Sequence, residues 1–194
     1  MSTSADLQAQ FGEIDIYLFD QLLRGRFDAR RRILDAGCGS GRNLPYFLGR
    51  GFAVAAIDRE AAAVQTIRPV VPSVVQGELD ALPWEDGAFD VVICSAVLHF
   101  ARDADHWEAM VRELWRVLAP GGLFFARLAS SIGIEPLLPA TRGRMRLPDG
   151  SQRFVVDEQM LLRFTADLGG ELLDPLKTTV VQGQRAMTTW VAGK

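Results

Sequence analysis

The chain has 194 residues, 48% hydrophobic and 23% charged, the balance of a soluble globular protein with enough sequence for one full core. A net charge of −3 argues against a dedicated nucleic-acid partner, and no apolar run approaches the roughly 20 residues that span a bilayer. Cys38 and Cys94 lack metal-ligand spacing, so neither a metal site nor a disulfide framework is expected. The N-terminal Met1-Ser2-Thr3-Ser4-Ala5-Asp6 lacks the basic and apolar regions of a signal peptide, so a cytoplasmic protein is expected, with monomer and homodimer both open.

Over residues 11–27, Phe11, Ile14, Leu18 and Leu22, with a second set at Ile16, Phe19 and Leu23, predict one helix with a broad apolar face. A solvated basic connection through Arg31 and Arg32 follows. Ile33-Leu34-Asp35-Ala36 reads as a buried strand ending in an acid, and Gly37, Gly39 and Gly41 then alternate through a loop ahead of a short helix from about 43 to 48. Residues 52–57 form a second strand ending at Asp58, 60–67 a helix, 74–76 a third strand and 89–95 a fourth that looks buried on both faces. Trp107, Met110, Val111, Leu114 and Trp115 give 105–118 helical spacing, Pro120-Gly121-Gly122 stops it, and 123–128 is a fifth strand.

Between 130 and 153 glycines and prolines break any regular pattern while Arg142, Arg144 and Arg146 alternate, so a long functional loop is expected there. A helix over 157–168 and strands over 172–181 and 185–191 complete the chain. Strands alternating with helices predict a doubly wound α/β sheet in a single domain.

Glycines at 37, 39 and 41 let backbone approach a bound molecule, and the helix start beyond them offers unpaired N–H groups. A dinucleotide fingerprint would need glycine where Arg42 stands, and no Gly-Lys-Ser/Thr completes a phosphate loop. The acid before the loop, Asp35, would repel a pyrophosphate and suit an amine. Asp58 can accept hydrogen bonds from two ribose hydroxyls, cap the next helix, or do both. Glu78 can accept from an adenine amino group, the Leu79 N–H can serve a ring nitrogen, and Leu79, Leu82 and Trp84 can supply apolar contacts to the adenine.

D-A-G-C-G-S-G from Asp35, the acid Asp58, E-L-D-A-L-P-W from Glu78, F-D-V-V-I-C-S from Phe89 and L-A-P-G-G-L at 118–123 occur in order. Together they closely resemble the class I S-adenosylmethionine-dependent methyltransferases over roughly residues 30–128. Glu78 departs from the family, where aspartate is commoner. The resemblance implies a Rossmann-like seven-stranded sheet, mostly parallel, with one antiparallel strand near the C-terminus and an N-terminal lid helix. The expected parts are an N-terminal helix or lid (11–29), a cofactor-binding core (30–128), an acceptor-side loop (130–153) and a C-terminal helix and strand pair (154–194).

It also implies S-adenosyl-L-methionine as cofactor and S-adenosyl-L-homocysteine as product. Asp35 would meet the methionine amino end, Gly37, Gly39 and Gly41 would pass beneath the methionine portion, and Ser95 would lie near it. Asp58 would take the ribose, Arg59 would flank the adenine, Glu78 and Leu79 would take its edge, and Tyr17 would reach the methionine carboxylate.

Methyl transfer from a sulfonium is an in-line displacement that needs positioning above all, and a base only where the acceptor must lose a proton. His99, just past the fourth strand, is the candidate base, with cofactor contact or packing as its other reading. His106 reads as a surface histidine. Arg127, with Arg142, Arg144, Arg146, Arg153 and Arg185, can form a positive rim for a small anionic acceptor. Ser95-Ala96-Val97-Leu98 stands where amino-group methyltransferases carry an N-P-P-Y type signature, which disfavours DNA or protein amides as acceptors. Gly41-Arg42-Asn43 and the 184–190 segment are similar to the tellurite-resistance type of small-molecule methyltransferase. A regulatory module that binds cofactor without turnover and an NAD-linked oxidoreductase are the competing readings.

Overall fold

A computed structural model describes residues 3–138 and 143–194; Pro139 and Arg142 of the irregular stretch lie outside the described residues. The helices are α1 (Ser4–Phe11), α2 (Ile16–Leu23), α3 (Pro45–Gly49), α4 (Ala61–Ile67), α5 (Ala104–Arg116) and α6 (Glu158–Asp167). The strands up to the irregular stretch are β1 (Arg32–Ala36), β2 (Ala53–Asp58), β3 (Val74–Gln76), β4 (Phe89–Ser95) and β5 (Leu118–Ser130). Beyond them come β6 (Gly143–Arg146), β7 (Gln152–Val155), β8 (Glu171–Leu172), β9 (Lys177–Val181) and β10 (Arg185–Gly193). Among the described residues no helix is long and apolar enough to cross a membrane.

The main sheet runs β3-β2-β1-β4-β5-β10, with β8 and β9 both paired to the far edge of β10. The first five strands are mutually parallel, and β10 is antiparallel to β5, β8 and β9. Eight strands therefore fill seven positions, because β8 and β9 are one edge position interrupted at Leu173-Asp174-Pro175-Leu176. Proline has no N–H to donate to a ladder, so such a break is tolerated only at an edge.

Two cores flank the sheet, and alternation along β5 shows how strand periodicity divides them. Phe124 joins Trp107, Trp190, Leu114 and Phe154 on one side. Phe125 joins Ile33, Ile93, Leu18 and Phe47 on the other. With both faces covered, β4 is buried at almost every position, which explains its unbroken Val91-Val92-Ile93-Cys94 run.

The single helix expected over 11–27 is instead two short ones. Gly12 takes φ +60° and ends α1, which starts upstream with a Thr3–Asp6 capping box and buries none of its residues. Asp15 then caps α2 by accepting the Tyr17 N–H at 3.0 Å. The structureless stretch expected over 130–153 contains a turn of 3₁₀ helix at Glu135–Leu137 and an antiparallel β6–β7 hairpin. The alternating Arg144 and Arg146 are the exposed positions of β6, so their spacing is strand periodicity.

The interruption in the edge strand holds the N-terminal segment. Asp174 is buried and accepts from Gln21 Nε2 at 2.9 Å, Arg26 Nη2 at 2.9 Å and Arg24 Nη1 at 3.4 Å. Asp174→Ala leaves the buried Gln21 amide without this acceptor, and urea denaturation is expected to show a loss of about 2 kcal/mol. An unchanged midpoint would rule the anchor out.

Candidate cofactor and acceptor site

Asp35 lies near the end of β1, and the chain then turns over β2: the Gly37 and Cys38 N–H groups donate to the Ile57 carbonyl at 2.8 and 3.1 Å. Gly37 takes φ +76°, and a Cβ there would stand 2.4 Å from Val97 Cγ2, so only glycine fits. The Gly39 N–H donates to Asp58 Oδ2 at 2.8 Å and the Glu60 N–H to Asp58 Oδ1 at 2.9 Å. One carboxylate thus ties the glycine loop to the start of α4 and keeps lone pairs for a ligand. A Cβ on Gly39 would meet no atom within 4 Å, so the loop faces open space at that point.

That open space belongs to a neighbouring cavity, whereas a cleft of about 760 Å³ on the other side of Gly37 is lined by Gly37, Asp58, Arg59, Glu78, Leu79 and Ser95. Gly41 is buried against Ile67 and lines neither this cleft nor the cavity beside it. Of the three apolar residues expected near an adenine only Leu79 lines the cleft. Leu82 lies in the core, and Trp84 packs edge-on against Phe89 with centroids 5.4 Å apart. Val97, Phe100 and Met110 supply apolar wall instead. His106, expected on the surface, also lines the cleft, its Nδ1 accepting the Arg102 N–H at 3.1 Å.

Asp35 lies beneath the loop, 1% exposed, and its Oδ2 has no partner. Burial pushes its carboxyl up to about 7, with Asp58 adding to the rise and Arg42 opposing it. An acid held in this state suits a cation arriving above it.

A second cavity of about 1150 Å³ shares Gly37, Ser95, Ala96 and Phe100 with the first. Its walls carry Arg42, His99, Arg127, Arg153 and Arg185. Ala96, at the junction, holds φ +65°, a conformation costly for a residue with a Cβ. His99 is 5% exposed with Nδ1 unpartnered, and burial followed by Arg153 and Arg127 pushes it down to about 4, so it is neutral at pH 7. Of the remaining expected rim, Arg144 donates to the Ala101 carbonyl at 3.4 Å and lines a different groove, and Arg146 is exposed on β6 without lining this cavity.

The residue that sequence reasoning missed is Asp15, 3% exposed and contacted from both sides of the junction. Its Oδ2 accepts from Ser95 Oγ at 3.0 Å and Arg127 Nη1 at 3.3 Å, and lies 3.5 Å from Arg42 Nη2. Arg42 also donates to Ser95 Oγ at 3.1 Å, and Asn43 Oδ1 accepts the Asp15 N–H at 3.0 Å. Tyr17 lines neither cavity: its hydroxyl bonds Thr179, and the Arg127 guanidinium lies 5.2 Å from its ring centroid.

A crevice at the carboxyl ends of parallel strands, with one acid near the end of β1 and another at the end of β2, defines a nucleoside-binding α/β domain of the Rossmann-like class. Residues 34–126 match the family model described as a methyltransferase domain. A malonyl-[acyl-carrier protein] O-methyltransferase of Enterobacter lignolyticus is 35% identical over 56% of this chain and 44% of its own length. An uncharacterised methyltransferase of Bacillus subtilis is 30% identical over 58% of this chain and 48% of its own. The chain spans less than half the length of these relatives.

Among solved structures, a SAM-dependent methyltransferase of Methanosarcina mazei superposes with a TM-score of 0.71 at 20% identity, covering 89% of this chain and 96% of that one. The 1,6-didemethyltoxoflavin-N1-methyltransferase of Burkholderia thailandensis, bound to 1,6-didemethyltoxoflavin and S-adenosylhomocysteine, gives 0.70 at 19% identity over 94% and 79%. Over residues 34–126 the chain is thus similar to S-adenosylmethionine-dependent methyltransferases in sequence, and its fold is theirs.

Two measurements check this geometry. Asp35 binds its proton up to about pH 7 when folded but only to the ordinary carboxyl range when unfolded, so the folded chain holds more protons between pH 4 and 7. Stability without ligand is therefore expected to fall as pH rises through that window, by on the order of 2–4 kcal/mol, and Asp35→Asn to flatten the slope in denaturant titrations. Asp15→Ala leaves two guanidiniums facing each other without their shared carboxylate, and thermal denaturation is expected to show a loss of roughly 3–5 kcal/mol. A change below about 1 kcal/mol would mean that solvent replaces Asp15 freely.

Proposed function

We propose that the chain catalyses methyl transfer from S-adenosyl-L-methionine to a small anionic molecule by in-line displacement. The observation that carries this reading is the meeting of two unlike cavities at Gly37, Ser95 and Ala96, one edged by Asp58 and Glu78, the other by arginines. The cofactor supplies an electrophilic methyl on a cationic sulfur, and the residues present fit it. Asp35, beneath the loop, offers an unpartnered buried oxygen for the ammonium end, and the methionine portion would pass over Gly37, where the two cavities meet, toward Gly39. Asp58 holds the ribose, and Glu78 and the Leu79 N–H serve the adenine edge, with Arg59 flanking it.

The methyltransferase-domain match over residues 34–126 supports the donor, and the cavity walls support the acceptor class. Arg127, Arg153 and Arg185 present guanidinium groups suited to an oxyanion. Ser95, bonded to Asp15 and Arg42, keeps the junction between donor and acceptor narrow and fixed, so positioning and exclusion of water contribute most of the rate.

Calorimetry with S-adenosylmethionine and with NAD tests the donor, and release of S-adenosylhomocysteine against an acceptor panel tests turnover. Asp58→Ala is expected to weaken S-adenosylmethionine binding by about 1–3 kcal/mol, or roughly 5–150-fold in Kd. Equal affinity in the variant would remove Asp58 from the ribose, and binding of NAD in place of S-adenosylmethionine would overturn the reading.

A further inference from the structure

We propose that the anionic group of the acceptor is itself the nucleophile, a carboxylate oxygen that receives the methyl group and leaves as a methyl ester. The proposal rests on the methyltransferase reading of the same site.

The acceptor cavity is rich in cations and poor in bases. Arg42 enters from the glycine loop, Arg127 from β5, Arg153 from β7 and Arg185 from β10. Against them stands Asp149 in the hairpin turn, 3.9 Å from Arg185, while Asp15 neutralises Arg127 and Arg42 from behind the wall. Among the described residues Arg153 has no carboxylate within ion-pair distance; its guanidinium lies 4.9 Å from the Phe100 centroid. The Arg127 Nε is buried and unpartnered. This cation surplus calls for an anion from the ligand, and guanidinium forks match carboxylate geometry.

Among the described residues the cavity lacks an effective proton acceptor. His99 is its imidazole, and burial with Arg127 and Arg153 beside it keeps the ring neutral down to about pH 4. An imidazole whose conjugate acid is that strong gives little help in removing a proton from an alcohol or an amine. Asp149 is held below the ordinary carboxylate range by Ser151 and by the arginines, and the Cys38 thiol is pushed up to about 12. A nucleophile that arrives deprotonated needs none of these groups.

The step balances without a proton. A lone pair on the carboxylate oxygen forms the new O–CH3 bond, the C–S bond breaks, and its electron pair stays on sulfur. A cation and an anion become two neutral groups, a change that exclusion of water favours. The ester no longer answers the guanidiniums and is released, while His99 Nδ1 remains free to orient the acceptor's second polar atom.

The test uses the full chain and a panel of small mono- and dicarboxylates with matched alcohol, thiol and amine analogues. Calorimetry reads their binding to protein loaded with S-adenosylhomocysteine, and labelled S-adenosylmethionine reads transfer. Carboxylates are expected to bind and to give product that releases labelled methanol in alkali. The rate at saturation is expected to stay level from about pH 6 to 9, because no base has to be deprotonated. Arg153→Met and Arg185→Met are each expected to raise KM for the carboxylate about tenfold with the Kd for S-adenosylmethionine unchanged. Alkali-stable product, a rate that climbs about tenfold per pH unit, or no carboxylate binding to the loaded protein overturns the proposal and leaves the methyltransferase reading standing. Absence of S-adenosylmethionine binding overturns both.

Discussion

The carboxylate of Asp58 accepts the Gly39 N–H on one oxygen and the Glu60 N–H on the other, and the cleft is built around that tie. A loop with Gly37, Gly39 and Gly41 all at positive φ loses more conformational freedom on ordering than any other stretch of this length. The tie offsets that cost with two charge-assisted hydrogen bonds from a strand end next to β1. The neighbouring acid has the opposite environment. Asp35 is deeper, partly unpartnered, and held protonated in part by the very charge of Asp58. Two carboxylates on adjacent strands are thereby driven apart in behaviour, one satisfied by the fold and one left for a ligand.

A second constraint reaches the site from the N-terminal segment. At its start α2 is held by Asp15, buried against Ser95, Arg127 and Arg42. At its other end it is held by Asp174, which accepts from Gln21, Arg24 and Arg26. Between them Leu18 packs fully buried in the core beneath the sheet. Buried ion clusters contribute modest net stability because each charge must be desolvated, but they penalise any other arrangement heavily. Here the penalty fixes how α2 lies across the ends of β4 and β5, and so fixes Arg127. The position of a cavity-wall cation depends on a residue that itself lines neither cavity.

The parallel core was legible because its physics is local and repetitive. Strands buried on both faces read as apolar runs, and each run that ended in Asp35 or Asp58 marked a strand end facing the crevice. The N-terminal break was legible only in part. Phe11 and Ile14 continue a helical period across Gly12, and the glycine that ends α1 was outweighed by that period. Asp15 sits two residues before Tyr17 as an ordinary helix cap, and nothing local announces that Ser95, 80 residues away, bonds its other oxygen. His106 was hidden for the same reason: its helix is amphipathic and capped by Asp103, and its ring is held at the cleft by the Arg102 N–H on Nδ1, with Asp80 3.4 Å from Nε2. The hairpin carried a signal in the alternation of Arg144 and Arg146, masked by the prolines and glycines around it.

Charge divides the two cavities as sharply as shape does. In the first cavity Asp58, Glu60 and Glu78 outnumber Arg59; in the second Arg42, Arg127, Arg153 and Arg185 outnumber Asp149, and Asp35 lines neither. The four shared residues, Gly37, Ser95, Ala96 and Phe100, carry no charge. Under the proposed function this difference in charge would draw a cationic donor to the first cavity and an anionic acceptor to the second, on either side of that neutral boundary. In a desolvated junction the field of such charges outweighs that of the same charges in water. Asp15 pairs Arg127 and Arg42 through one carboxylate oxygen and so fixes where two of the second cavity's guanidiniums sit. Arg42 already opposes the rise of the buried Asp35 carboxyl through the loop, so the guanidinium that Asp15 pairs also acts on the acid near the end of β1.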